Sequence, residues 1–183
     1  KTEYKKCAEV QVTKTTVYDI IFYNIYKKPH TGSFTQQVED LMEYIRSETI
    51  KNSKKTLVFM GDFNLPGADW VNMKSTHAHT QEFLDMIEAL DLKQMVTEPT
   101  RIPTPTGKEN ILDVVITNKP NRIIKNSVVP HKSVKDESGH IIKTMTVSDH
   151  YPVTFAIETS SKIPKKKTIE VHDWKNADFD AYR

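Results

Sequence analysis

A chain of 183 residues with a formal net charge of +2 is long enough to bury the core of one domain, and too balanced in charge for composition to name a nucleic-acid partner; any electrostatic footprint has to be local. No apolar run approaches the about 18 residues of a membrane span, and no apolar stretch follows the basic start as in a signal peptide, so no membrane partner is expected. The single cysteine, Cys7, cannot close an internal bridge, and the expectation is an intracellular protein, nuclear or cytoplasmic and not secreted.

Residues 9–12 and 17–26 carry β-branched and aromatic side chains on either side of the polar Thr13-Lys-Thr-Thr16, which predicts a hairpin turning at those threonines. The period then changes. Val38, Leu41, Met42 and Ile45 recur at helical spacing, and Ser33 with Gln36 has the form of a capping box, so a helix is predicted over about 34–50. Residues 57–60 form a short continuous apolar run ending at Gly61, as in a strand buried on both faces. Phe83, Leu84, Ile87 and Leu90 predict a second amphipathic helix, followed by a strand at 94–97. Pro99, Pro103, Pro105 and Gly107 make 98–110 an extended loop. Strands are predicted at 111–117, 123–129, 141–147 and 151–158, with a polar turn at 132–139. From 159 onward a lysine-rich linker without apolar period leads into 171–183, which reads as the start of something further; the domain is therefore placed at 1–158 and the linker and connector at 159–183.

Hydrolysis of a phosphodiester needs an activated water, positive charge for the developing oxyanions and donors that align the phosphate. The run Thr56-Leu-Val-Phe-Met-Gly-Asp-Phe-Asn64 ends an apolar strand on an acid and an amide, and Val147-Ser-Asp-His150 stands at the start of another. Both lie where strands stop and loops begin, and catalytic groups concentrate there. Asp113 interrupts the apolar run 111–117, and a carboxylate in a buried strand needs a partner, here expected to be histidine. Two carboxylates about 4 Å apart repel by about 4 kcal/mol at an effective dielectric of about 20, so convergence of Asp62, Asp113 and Asp149 implies a compensating cation. Such a sparse oxygen site suits Mg²⁺, with Mn²⁺ as an alternative, and no Cys/His spacing competes for zinc. His150 is a candidate general acid or base, or, protonated, an electrostatic stabiliser. Asn64 offers amide hydrogens to a phosphate oxygen or to water, and Tyr26 a phenolic donor with Lys27 and Lys28 adding charge beside it. Taken singly, each has a plainer reading: Gly-Asp-Phe-Asn as a strand-ending Asx turn, Asp113 as an edge-strand residue, Tyr26 as a core aromatic, the lysines at 162–167 as a solvated linker.

In order, Tyr23-Asn-Ile-Tyr-Lys-Lys-Pro29, Gly61-Asp-Phe-Asn-Leu-Pro66 with Asp69-Trp70, Ile111-Leu-Asp-Val-Val-Ile-Thr-Asn118 and Val147-Ser-Asp-His-Tyr-Pro-Val153 resemble the endonuclease/exonuclease/phosphatase superfamily, and within it the endonuclease of LINE-type (non-LTR) retrotransposons. The resemblance covers about 9–157, and Lys175-Asn-Ala-Asp-Phe-Asp180 is similar to the connector that leads from such a nuclease toward a reverse transcriptase in the same polypeptide. It implies an α/β fold, a four-layer sandwich of two facing, mostly antiparallel sheets flanked by helices, DNase-like and here lacking its first strands. It also implies roles: Tyr26 contacts the phosphate, Asp62 orients or deprotonates the attacking water, Asn64 positions it, Asp113 holds His150, and Asp149 lies at the metal. The implied reaction is Mg²⁺-dependent nicking of DNA, leaving a 3′-hydroxyl that primes reverse transcription. The chain departs from the pattern by starting after the strands that carry an asparagine and the glutamate metal ligand, and by Lys27 where arginine is common. The alternatives are a phosphoesterase of the same fold acting on a phosphorylated lipid, nucleotide or inositol, and a catalytically dead fragment that binds nucleic acid or protein.

Overall fold

Alternation of apolar and polar residues, many of them β-branched or aromatic, marks 10–17 and 20–27. In the computed structural model, which describes residues 2–7, 10–29, 34–65, 67–101, 110–131, 134–135, 141–142 and 149–159, strands β1 (Thr2–Cys7), β2 (Val10–Val17) and β3 (Ile20–Lys27) form an antiparallel meander. Val17 pairs with Ile20, so the hairpin turns at Tyr18 and Asp19, with Tyr18 at a left-handed φ of 56°. This corrects the turn predicted at Thr13–Thr16: the β-branched threonines stay in strand β2, where that shape is favoured. Strand β1 was not foreseen at all, because its lysine-rich sequence carries little apolar pattern.

Helix α1 (Phe34–Lys51) then crosses to β4 (Thr56–Asp62), which lies parallel to β3; the proposed capping residue Ser33 lies outside the described residues. Helix α2 (Ala78–Ala89) leads to the two-residue β5 (Lys93–Gln94), shorter than predicted, and β6 (Asp113–Thr117) returns antiparallel between β4 and β5. The large sheet runs β1-β2-β3-β4-β6-β5.

Its two faces carry separate cores. Leu57 and Phe59 of β4 point to the helix side with Tyr23, Ile25, Val114 and Ile116, against Val38, Leu41 and Ile45 of α1 and Phe83, Leu84 and Ile87 of α2. Val58 and Val115 point the other way with Ile20 and Val96, packing against Val153, Phe155 and Ile157. Burying β4 on both faces explains its unbroken apolar run, each side chain contributing about 1.5–3 kcal/mol. The second face is covered by a small sheet of β7 (Val129–Pro130) and β10 (Val153–Thr154), and a separate hairpin pairs β8 (Val134–Lys135) with β9 (Ile141–Ile142). The predicted α/β sandwich of two facing, mostly antiparallel sheets is therefore the fold; among the described residues its long helices lie on the large-sheet side.

Two predicted strands shrink. Of the strand predicted at 123–129 there remain a single bridge from Ile123 to Ile157 and Val129 at the start of β7, with Asn126 at φ 60° between them. A left-handed residue interrupts the ladder there. The strand predicted at 151–158 is regular only over Val153–Thr154, with Ile157 in the isolated bridge. Most of the strand predicted at 141–147, most of the loop at 98–110 and the linker and connector from 160 onward lie outside the described residues. No helix among the described residues is long and apolar enough to cross a membrane.

Candidate active site

Register puts the site together. Tyr26 on β3 is the Cα partner of Asp62 on β4, and Asp62 is the partner of Asp113 on β6, so three of the predicted residues form one row across three strand ends. Period-2 alternation keeps Tyr26 on the face shared with Phe22, while Ile21, Tyr23, Ile25 and Lys27 turn toward the helices. Tyr26 is exposed, so it is not the core aromatic of the plainer reading. Lys27 departs from expectation: it is fully buried on the helix side, its Nζ 4.8 Å from the centre of the Phe34 ring and 3.4 Å from Gln37 Oε1, and it places no charge beside Tyr26.

The approach of β4 to β3 depends on Gly61. At φ +120° a Cβ there would sit 2.2 Å from the carbonyl oxygen of Ile25, so only glycine lets the strand end close against its neighbour and present Asp62. Asn64, itself at φ 41°, folds back on that acid. Its backbone N–H donates to Asp62 Oδ1 (3.1 Å), and its Nδ2 donates to Asp62 Oδ2 (2.8 Å) and to the Lys27 carbonyl (2.9 Å). In this arrangement Asn64 holds Asp62 and ties the end of β3 to the loop after β4.

His150 reaches the row from the segment that precedes the small sheet. Its Nδ1 lies 2.7 Å from Asp113 Oδ2, the acid–histidine pair expected from the interrupted apolar run. One oxygen or nitrogen from each of Asp62, Asp113 and His150 lies within 4.8 Å of the others, a group able to hold a metal ion. Burial first, and the neighbouring Asp113 charge second, push the Asp62 carboxyl above its ordinary value, against the pull of His150 and the Asn64 bonds. Like charges so placed fit a cation, and hard carboxylate oxygens with a single imidazole fit a divalent one. Asp149 stands beside this group, its Oδ1 4.0 Å from His150 Nε2. Arg101 donates from Nε to Asp149 Oδ2 at 2.7 Å, with its terminal nitrogen at 2.6 Å from the same oxygen, and this holds the Asp149 carboxyl below the usual range. Tyr26, Asp62, Asn64, Asp113, Asp149 and His150 all line one open cleft of about 420 Å³, together with Pro29 and Arg101.

Sequence reasoning missed Thr100 and Arg101. Thr100 is fully buried, and its hydroxyl oxygen accepts from the N–H groups of both Leu112 and Asp113 at 3.0 Å, while its carbonyl accepts from Tyr151 N at 2.7 Å. Arg101 forms a β-bridge with His150. This short segment staples the start of β6 to the histidine segment, so that Asp113 and His150 meet. In the sequence it is two polar residues in a proline-rich loop, and only the arginine offers a signal.

A family model described as endonuclease-reverse transcriptase matches residues 20–154, which takes in every residue of the cleft and most of the chain. The chain belongs to this endonuclease–reverse transcriptase family. Among solved structures, the endonuclease domain of TRAS1, a telomere-specific non-LTR retrotransposon, is similar at 18% identity and a TM-score of 0.53, covering 85% of this chain and 67% of that one. A 3′ phosphatase, NExo from Neisseria, bound to a product DNA hairpin, is similar at 17% identity and a TM-score of 0.53, covering 81% of this chain and 65% of that one. The chain thus spans about two thirds of the length of these structures, and at such identities they show its fold, an α/β sandwich shared with a retrotransposon endonuclease domain and a 3′ phosphatase. No curated protein matches the chain significantly.

Proposed function

We propose that the chain is the endonuclease part of a non-LTR retrotransposon protein, hydrolysing a DNA phosphodiester with Mg²⁺ and leaving a 3′-hydroxyl from which a reverse transcriptase in the same parent polypeptide extends. The observation that carries this reading is the row of Tyr26, Asp62 and Asp113 with His150 hydrogen-bonded to Asp113 in a single cleft.

Each residue has a role its position supports. Asp62, raised toward protonation by burial and steadied by Asn64, takes a proton from the attacking water or orients it. The water oxygen bonds to phosphorus, the bond from phosphorus to the 3′-oxygen breaks, and that oxygen takes up a proton from solvent, giving a 5′-phosphate and a 3′-hydroxyl. Asp113 accepts from Nδ1–H of His150, so that in the protonated imidazole Nε2, on the Asp149 side of the cleft, donates to a phosphate oxygen. Exposed at the end of β3, the Tyr26 hydroxyl serves as a second donor. Asp62 and Asp113, which with His150 form the group able to hold a metal ion, would hold the divalent ion, with Asp149 as a further carboxylate beside them; when bound the ion would supply charge for the developing oxyanions.

Nicking of supercoiled plasmid in Mg²⁺ tests the reading. His150→Ala should lower the rate by at least about a hundredfold; a rate left within a few fold of the parent means that these residues are not the site. The similarity to a 3′ phosphatase bound to a DNA hairpin makes release of phosphate from 3′-phosphorylated DNA the second assay. Phosphate release without nicking would favour that substrate, and salt-sensitive DNA binding with neither activity would favour the binding fragment.

A further inference from the structure

The cleft is built of acids, yet its proposed substrate is a polyanion. Asp62, Asp113 and Asp149 line it, and among the described residues its one lysine or arginine is Arg101, since the Nζ of Lys27 is buried on the opposite face of the sheet. We infer that Arg101 is a phosphate-binding residue of this cleft, which exchanges its bond to Asp149 for a phosphate oxygen of the bound nucleic acid. The inference rests on the phosphodiester reading above.

Two features separate Arg101 from a surface arginine in a casual ion pair. The backbone beneath it is fixed: it bridges to His150, and the preceding Thr100 is bonded to both β6 and Tyr151. A guanidinium mounted there has little freedom to wander from the reacting histidine. The side chain itself remains accessible, with 40% of its surface exposed, and its partner Asp149 is more exposed still at 53%. An ion pair so wet contributes little, so giving it up costs little when a phosphate oxygen takes the place of the carboxylate. Nε and a terminal nitrogen both face one oxygen of Asp149, so the guanidinium edge that can pair with two oxygens of a phosphate is already turned toward the cleft. A phosphate oxygen that takes the place of the Asp149 carboxylate would keep the guanidinium in the cleft, because its backbone is held by the bridge to His150. Asp149 thus acts as a temporary occupant of the place a phosphate oxygen takes.

Equilibrium binding of a short fluorescent DNA duplex, with Ca²⁺ replacing Mg²⁺ to prevent turnover, tests this across a series of salt concentrations. Arg101→Ala should weaken binding about tenfold at low salt and reduce the slope of log K against log salt by about 0.9, the value of one phosphate contact. Arg101→Lys should keep the slope while losing part of the affinity, because the charge remains and the fork does not. Asp149→Asn, measured without divalent ion, should tighten binding, since it frees the arginine and removes a negative charge. Circular dichroism checks folding; should alanine loosen the loop, Arg101→Gln, which keeps most of the stem, reads the same slope. If the parent chain binds and its slope is unchanged in the neutral variants, Arg101 only steadies Asp149 and the inference fails while the phosphodiester reading stands. If the parent chain shows no salt-dependent binding, both fall.

Discussion

Adding one methyl group at Gly61 should damage the protein as much as deleting a large side chain from its core. The Cβ of an alanine would lie 2.2 Å from the Ile25 carbonyl oxygen and 3.1 Å from the Ile25 carbonyl carbon, both backbone atoms of the paired strand β3. Ordinary contact begins near 3.4 Å, so the two strands would have to part by about 1 Å at the point where Ile25 faces Gly61. The φ of +120° adds its own penalty, of order 1–3 kcal/mol for a residue with a side chain. Together with loss of ladder bonds at about 1 kcal/mol each, Gly61→Ala is expected to cost about 3–5 kcal/mol. For a chain of this size that lowers the thermal midpoint by roughly 6–20 °C. Gly67→Ala is the control: its φ is +77°, but its Cβ would meet the His77 ring at 2.7 Å, the end of an exposed side chain that can swing aside, so about 1–2 kcal/mol is expected. Urea unfolding followed by circular dichroism measures both. Equal losses in the two variants, or a loss below about 1 kcal/mol at Gly61, would refute the argument that backbone closeness places Asp62 in the row.

Other outcomes follow from the same contacts. Mg²⁺ or Mn²⁺ should raise the unfolding midpoint, by the equivalent of about 2.7 kcal/mol at a hundred times its Kd, and Asp62→Ala or Asp113→Ala should remove the increase; an increase that survives both means the ion binds elsewhere. Arg122 donates to Asp19 Oδ2 and Thr56 Oγ1, both at 2.5 Å, and to the Glu158 carbonyl at 2.6 Å, fastening the two sheets at the end far from the cleft. Arg122→Ala should therefore destabilise by about 2–3 kcal/mol in urea without altering divalent-ion binding. Burial works against the charged form of Glu48, but the bonds from Lys14 and Tyr23 outweigh it and hold its carboxyl below the ordinary value. A folded-state value below the unfolded one gives stability that is complete above the carboxylate range and lost as pH falls through the folded value. Unfolding midpoints measured from about pH 6 down to about pH 3 should fall, and Glu48→Gln should flatten that fall; an unchanged profile would place the acid sensitivity on other groups.

The parts of the fold that were legible in the sequence are those where one period dominates. Val38, Leu41 and Ile45 fix α1 because helical spacing and a single buried face coincide, and the four apolar residues before Gly61 fix β4 because both its faces are covered. The hairpin turn was misplaced because polarity was read as a turn signal, whereas Thr13, Thr15 and Thr16 sit in a strand and the chain reverses at a tyrosine with a left-handed φ. The pairing of Asp113 with a histidine was legible from the cost of a lone acid in an apolar strand, and the structure supplies that partner in His150. The work of Asn64 was only half legible: its residue type suits donation, but local sequence cannot say that its nearest acceptor is the acid two residues before it. Lys27 follows the same logic, since a lysine next to a site tyrosine on a strand necessarily points to the opposite face. Thr100 and Arg101 were hidden because their partners are reached through long-range register, not through neighbours in the chain.

Asp62 and Asp113 are direct cross-strand partners, an arrangement that disfavours pairing when both are charged. At the other end of the sheet the charges are matched: Asp19 with Arg122, Glu48 with Lys14. Stability is therefore drawn from the two cores and the far end, and the cleft end retains a repulsion that the fold tolerates without removing. Asn64 supplies donors to Asp62 but no charge, and His150 engages Asp113 from only one side. A sheet selected for stability alone would place a threonine or a lysine opposite one of these acids. Two carboxylates kept in register, with the surrounding backbone fixed by Gly61 and Thr100, form a site whose energy falls when a cation or a proton arrives, which is the property a metal-assisted hydrolase needs at the place where charge develops.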